Sequence, residues 1–375
     1  MKRSIHDISP GARSGIIMKS NFRLNQEDLY TLCVDRPLIT NEIHKPNDYY
    51  GQASILKKYV GYPNHYPLKA VLEHGLFFHD WIWDADRCSR LPVYLSSSAH
   101  RAQIQTRETG TLSIPIGFGF LYAMVNYENI YGMEENLTCR KGTVVFPSHS
   151  THHIKAIYDN EEYANRLNAL PDKYKPITVC IYWKDFLHGY HSSYVKKGFR
   201  IVTAGHIYDP DFLYRFYDIC RQFEYSTSND IGGHLFYSVK SGCNFFYTLS
   251  NDINYEGHDG APLGCFTEMS RKIKDRSVFL FSKPKDAMDR EQLEFVDKYI
   301  GSAYLKTKEE LRDLFQYAEN KDKKWDKSMF LNHRKVSPLN MLPTFWQRKI
   351  YYIPTRVLGL GCKIKKSWLV KIVLL

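Results

Sequence analysis

Between Phe199 and Leu249 the chain switches repeatedly between two hydrophobic periods, and that alternation limits the fold more than any other feature. An apolar run, Phe199 to Ala204, precedes a helical pattern opened by Asp209-Pro210, with apolar residues at Phe212, Leu213, Phe216, Ile219 and Cys220. Glu224 to Thr227 forms a second short run. After the turn Ser228-Asn229-Asp230, Ile231 to Val239 reads as another helix, closed at Ser241-Gly242 before the run Asn244 to Leu249. Strand, helix, strand, helix, strand at this spacing requires crossover connections, which predicts a parallel sheet. In TSNDIGGH, small hydroxyl and amide side chains sit at a strand's carboxyl end and two glycines at a helix start. Free N–H groups and the helix dipole attract phosphate there, and open parallel sheets bind their ligands there. The plainer alternative is that Ser228 or Asn229 caps the helix and the glycines permit close packing. Neither G-x-G-x-x-G nor G-x-x-x-x-G-K-[ST] occurs, so a dinucleotide fingerprint and a P-loop are both excluded.

Length and charge then set the scale. A chain of 375 residues with 43% hydrophobic and 15% aromatic content is expected to form two packed domains. The basic N-terminus lacks an apolar run of signal-peptide length, and no stretch is long and apolar enough to span a membrane, so a cytoplasmic location is expected. Eight cysteines without a C-x-x-C pair fit reduced thiols rather than disulfides or structural zinc. Of the net charge of +11, ten units fall in residues 327–375, which contain no acidic residue. The body is thus nearly neutral, which argues against a nucleic-acid partner. In the tail the basic residues alternate with Phe345, Trp346, Tyr351, Tyr352, Trp368 and branched aliphatics, a mixture that suits an anionic membrane surface. The alternative is a tail packed on the body with its lysines in water.

Residues 1–47 carry little periodicity. From Tyr49, YYGQASILKKYVG reads as a short helix and LKAVLEHGLFF as a strand ending at Glu73-His74-Gly75. Val93 to Leu95 is a strand that breaks into a serine-rich turn and a polar helix, and LSIPIGFGFLYAMV a strand that leads into an apolar segment. This first α/β unit is expected over residues 1–138. The polar stretch Tyr127 to Lys141 marks the boundary, and a second unit is expected over residues 139–326. It opens with TVVFPSHSTHH, a strand (Thr143 to Phe146) ending in serines, a threonine and three histidines. A helix from Asp159 to Leu170 and a buried strand PITVCIYW follow. Four strand ends, PSHST, YWKD, AGHIYD and STSNDIGG, are therefore expected on one sheet edge facing the first unit. His149, His152 and His153 have no matching cysteine or carboxylate spacing, so no metal is expected there.

Two α/β domains across a cleft, the EHG strand end, the IPIG segment, PSHST and TSN-x-I-G-x-H together resemble the GT-B glycosyltransferases of bacterial capsule and O-antigen assembly. The resemblance covers roughly residues 49–249. It implies two Rossmann-like domains, with a nucleotide-sugar donor on the second through Ser148, His149, Ser150, Thr151, Thr227, Ser228, Asn229, Gly232, Gly233 and His234. It also implies a glycan or lipid-linked acceptor on the first domain, with the tail placing the enzyme at the inner face of the cell membrane. His206, after FRIVTAG, is a further candidate donor contact. The Glu-x7-Glu signature of many retaining members is missing, so inversion is expected. Inversion needs a base for the acceptor hydroxyl and cationic or N–H donors for the leaving diphosphate. Glu73 and His74 are the candidate bases. The D-x-D pairs Asp84/Asp86 and Asp209/Asp211 lack the strand-end setting of a metal site, Asp209 being placed as a helix cap before Pro210, so transfer without a metal or other cofactor is expected. Two alternatives stay open: transfer of a polyol phosphate from a cytidine nucleotide, and a non-enzymatic scaffold tethered to membrane or RNA.

The tail carries its own test. Each basic residue that reaches an anionic surface gains on the order of 1 kcal/mol, a term that salt screens. A chain ending at Thr344 is expected to stay folded but to lose sedimentation with phosphatidylglycerol vesicles at low salt. Equal sedimentation of both chains excludes the membrane role, and unfolding of the short chain shows that the tail packs on the body.

Overall fold

The computed structural model describes residues 26–131, 140–151, 154–249, 253–257 and 267–331. The first unit runs α1 (Gln26–Leu32), α2 (Gln52–Val60), β1 (Val71–Leu72), α3 (Asp84–Arg87), β2 (Tyr94–Ser96), α4 (Ala99–Thr109), β3 (Ser113–Pro115) and α5 (Gly119–Tyr131). Its three strands pair in parallel in the order β1-β2-β3. Alternation along the strands divides their side chains. Leu72 and Leu95 join the main core, while Val71 and Tyr94 pack with Leu91 on the other face. The strand expected over LKAVLEHGLFF shrinks to two residues, although Glu73 N–H still donates to Leu95 O of β2 at 3.1 Å.

The second unit continues β4 (Thr143–Phe146), β5 (Ile154–Ile157), α6 (Asn160–Asn168), β6 (Ile177–Cys180), α7 (Trp183–Leu187), α8 (His191–Val195), β7 (Arg200–Val202), α9 (Phe212–Cys220), β8 (Tyr225–Ser228), α10 (Gly233–Lys240), β9 (Asn244–Tyr247) and β10 (Asn254–Gly257). All five strands of its main sheet are parallel, in the order β7-β6-β4-β8-β9. Central β4 is apolar and buried along its whole length, as a strand covered on both faces must be. Helix α9 is buried on nearly every side because α5 and α10 flank it, with Phe146 and Phe216 stacked at 4.7 Å. Expected strands and helices from Phe199 onward are all present. The helix expected from Ile231 starts two residues later, at Gly233, and PITVCIYW leaves the sheet at Cys180 to begin α7. Asp209 does not cap α9. Its carboxylate accepts from Asp211 N–H at 3.0 Å and pairs with Arg215, while Asp211 stands at the cap without a side-chain bond. The ribbon of β5 with β10 has no counterpart in the sequence reading.

Three helices close the described chain: α11 (Glu268–Phe281), α12 (Arg290–Ile300) and α13 (Lys308–Leu331). The chain returns here to the first unit. Phe118 N–H donates to Ile300 O at 2.9 Å, Arg312 to Val60 O at 2.8 Å, and Lys69 pairs with Asp322 at 3.0 Å. One hydrophobic cluster runs through both sheets. The expected boundary between residues 138 and 139 and most of the tail lie outside the described residues, while α13 passes unbroken through positions 326–327. Among the described residues no helix is long and apolar enough to cross a membrane.

The two units meet with no spare room at Gly51, the residue before α2. Its φ is +76°, and a Cβ there would lie 2.0 Å from Pro210 O. Gly61, at the other end of α2, has φ +74° with nothing within 4 Å. Gly61→Ala is expected to cost about 1 kcal/mol for backbone strain alone, and Gly51→Ala at least about 2 kcal/mol more, because the seam must open. Urea unfolding of the two variants checks this, and equal losses would mean that the seam yields freely.

Candidate functional site

In the main sheet the chain starts at central β4, moves outward through β6 and β7, then crosses to β8 and β9 on the other side. The direction of winding therefore reverses between β4 and β8, where loops leaving the carboxyl ends diverge and leave a crevice. A cavity of about 240 Å³ lies beside that crevice, toward β6 and β7. Its walls are the ends of β4 (Phe146, Pro147, His149), β6 (Cys180, Ile181, Tyr182) and β7 (Thr203, Ala204, Gly205), helices α9 and α10, and Gly75 to Phe77 from the first unit. The carboxyl ends of β1 and of the main sheet thus face one space.

The polar strand ends that the sequence singled out divide into those that line this space and those that build it. His149, Gly233 and His234 line it. Ser148, Ser150, Thr227, Ser228 and Asn229 are at most 5% exposed. Ser148 donates from both N–H and Oγ to Asn229 Oδ1, at 2.7 and 2.9 Å, which ties the β4 loop to the β8 loop across the crevice. Asp185 accepts from Ser150 N–H at 3.1 Å, and Thr227 Oγ1 lies 2.9 Å from Thr248 Oγ1. Thr151 N–H donates to Ile154 O at 2.7 Å. His206 has a fully buried ring against Trp183, with Nε2 3.3 Å from Asp35 Oδ1. His152 and His153 lie outside the described residues.

Gly232 takes the cap position of α10 in an extended conformation, so no side chain satisfies the helix's first N–H groups. Both glycines also sit close against side chains. A Cβ on Gly232 would lie 2.6 Å from the His234 ring, and one on Gly233 2.8 Å from the Tyr237 hydroxyl. The two readings of this motif, bare N–H donors and close packing, therefore coexist.

On the facing side, Glu73 is 3% exposed and fully bonded. Its Oε2 accepts from Ser97 N–H and Oγ at 2.8 and 2.7 Å, and its Oε1 pairs with Arg101. Arg101 in turn donates to His79 O and Trp81 O at 2.6 and 3.3 Å, pinning the aromatic loop beside the site. His74 is 15% exposed and packs edge-on against Tyr49 and Phe77. Its Nδ1 lies 3.9 Å from Asp86 Oδ1, and the same oxygen is 2.9 Å from His44 Nε2. Burial holds the His74 imidazole below its usual pKa, although the Asp86 charge opposes this. His44 and the cavity residues Tyr50 and Tyr237 were not singled out from the sequence. Asp86 was visible within a D-x-D pair, but only the fold brings it to His74. Tyr50 has φ +58°, a strained backbone at the cavity wall.

No family model matches the chain, and no curated protein matches it. Among solved structures it is similar to one described as the crystal structure of a GtfA/B complex, with 12% identity and a TM-score of 0.30. The match covers 67% of this chain and 53% of that one, so the chain spans about half the length of that neighbour. The fold stated here is accordingly a mixed α/β architecture with parallel sheets.

Burial leaves a titration signature. It presses His149 and His234 down to about 4, with the neighbouring His149 charge adding to the effect on His234, and likewise His79, aided by Arg101. Unfolded, these imidazoles take up protons near 6.5. Their contribution is complete above that pH and is lost as pH falls toward 4. Asp185, raised by burial to about 7, acts in the opposite sense and weakens the fold as pH rises from 3.8. Three imidazoles outweigh one carboxyl, so melting temperature is expected to fall between pH 6.5 and 4. His234→Asn should flatten that slope, and an unchanged slope would mean that His234 takes up its proton as readily in the fold as in the unfolded chain.

Proposed function

We propose that the chain is a glycosyltransferase that moves a sugar from a nucleotide-diphosphate donor, with inversion, to a hydroxyl of a glycan or lipid-linked acceptor. The observation that carries this reading is one cavity walled by the chain leaving β1 and by the carboxyl ends of β4, β6 and β7, beside the winding reversal of the main sheet. The donor diphosphate lies against the uncapped start of α10, where N–H groups and the helix dipole favour negative charge. His149 and His234, held neutral by burial, offer ring nitrogens to donor hydroxyls rather than charge to its phosphates. The acceptor enters from the β1 side.

Of the two candidate bases, His74 fits the role. Glu73 has both oxygens engaged, and moving it would expose the Arg101 guanidinium to an unpaired, buried state. His74 is in its neutral, basic form and has Asp86 near Nδ1, the side opposite a proton arriving at Nε2. In the transfer the acceptor oxygen attacks the anomeric carbon as its proton passes to His74. The bond from that carbon to the diphosphate oxygen breaks, and the α10 N–H groups receive the charge that develops there. Asp86, oriented by His44, stabilises the imidazolium. The basic, aromatic tail of residues 327–375 would hold the enzyme at the inner membrane face, near a lipid-linked acceptor.

Melting-temperature shifts with uridine, guanosine, cytidine and thymidine diphosphates test the donor site first. Stabilisation by any of them is expected, a cytidine preference favours polyol-phosphate transfer, and no shift with any removes the nucleotide reading. With a responding donor in hand, His74→Ala is expected to lower turnover by roughly a hundredfold or more with donor affinity nearly unchanged. Asp86→Asn should lower it less. Near-normal turnover of His74→Ala would remove β1 from the chemistry.

A further inference from the structure

We infer that a second cavity, at the seam where α4 of the first unit meets α11 and α12, binds a phosphate-bearing ligand. It is a half-open surface pocket of about 330 Å³, distinct from the crevice described above. Four basic side chains, His100, Lys272, Arg276 and Lys298, surround a floor that includes Ile273 and Tyr299, and among the described residues no carboxylate lines it. Positive charge gathered around a partly apolar floor suits an anionic group attached to an apolar or ring-bearing body.

Existing partners leave these cations available. Lys272 pairs with Glu268 at 2.6 Å and Arg276 with Glu291, but all four side chains are at least 44% exposed, and such pairs contribute little and exchange readily. Among the described residues Lys298 has Tyr299 as its contact, its Nζ 5.4 Å from the ring centroid. His100 stands in the first turn of α4, behind the Ser98 cap, where the helix dipole adds to the positive field. Its Nε2 lies 3.1 Å from Met269 Sδ. Burial, followed by the charges of Arg101, Lys298 and Arg107, keeps the ring below its usual pKa. A bound phosphate would reverse that sign.

The site also touches the machinery of the first cavity. Phe77 lines that cavity, while its neighbour Phe78 packs against Tyr299 at 6.1 Å and its carbonyl accepts from Ser270 Oγ at 3.1 Å. Occupancy of the seam therefore bears on the loop that carries His74. The inference itself requires no transfer chemistry.

The test uses the full chain with ring-labelled histidines, inorganic pyrophosphate as probe, and constant ionic strength. Pyrophosphate is expected to raise the His100 pKa, the resonance being assigned with His100→Gln. It should fail to do so in the double variant Arg276→Gln, Lys298→Gln, whose exposed positions leave folding intact by circular dichroism. Affinity read at His100 should fall at least tenfold. An unmoved His100, or the same affinity in the double variant, overturns the site. Sedimentation with phosphatidic acid vesicles distinguishes the source: binding weakened by the double variant supports a lipid phosphate headgroup, and binding equal to the parent's, with pyrophosphate affinity lost, supports a soluble phosphate ester.

Discussion

The buried carboxylate of Glu73 sets the position of everything on the first unit's side of the crevice. It stands where β1 leaves its sheet and takes hydrogen bonds from Ser97, at the end of β2, and the charge of Arg101, on α4. Through the Arg101 donors to His79 O and Trp81 O the same group reaches the aromatic loop. Burying an ion pair yields little net stability, since desolvation offsets the attraction, but its geometry is demanding and breaking it leaves a stranded charge. Its value is positional. The pair fixes one path for the chain after β1, and that path carries Gly75 to the cavity wall, one residue beyond His74.

A fixed loop is useful only if the opposite wall is equally fixed. On the main sheet this falls to Asn229 and Ser148, whose paired bonds bridge the winding reversal, and to Asp230, which accepts from Tyr255 at 2.7 Å and pairs with Lys274 at 2.8 Å. The ribbon strand β10 and helix α11 are thereby moored to the β8 loop. Glycine then sets the separation of the units. Gly51 against Pro210 O, and Gly301, where a Cβ would lie 1.8 Å from Ser97 O, let backbones meet where any side chain would push them apart. Both contacts lie close to residues that define the cavity, so its width follows from backbone contact rather than from adaptable side chains.

Much of this could be read from the sequence where one covalent segment carries the pattern. Phe199 to Leu249 writes its strands and helices as clean apolar periods, because each element is buried on known faces, and the structure agrees to within a few residues. The five-strand order could not be read, since nothing local states that β8 pairs with β4 rather than β7. The site was half legible for the same reason. PSHST and TSNDIGGH each supply residues to the cavity wall, but nothing in them says that Ser148 and Asn229 would bond to each other across the crevice. His44 and Asp86 come from segments with weak period, and only the fold sets them beside His74. The β5–β10 ribbon joins residues about a hundred positions apart and leaves little local trace.

On the proposed reading, an apolar cavity serves an anionic donor. Phe146, Phe212, Phe216 and Tyr237 stand in its wall, and the hydroxyls of Ser148, Ser150, Thr227 and Ser228 are buried as struts. In such surroundings the effective dielectric is low, so a few oriented N–H groups act on a developing charge far more strongly than they would in water. A lysine in the same wall would need its own desolvation offset and would bind donor and product alike. Backbone donors at the start of α10 are already paid for by the helix, and two neutral imidazoles keep the site free of fixed charge. The wall is therefore suited to favouring charge that appears during a reaction over charge present at its outset, which is the property catalysis requires.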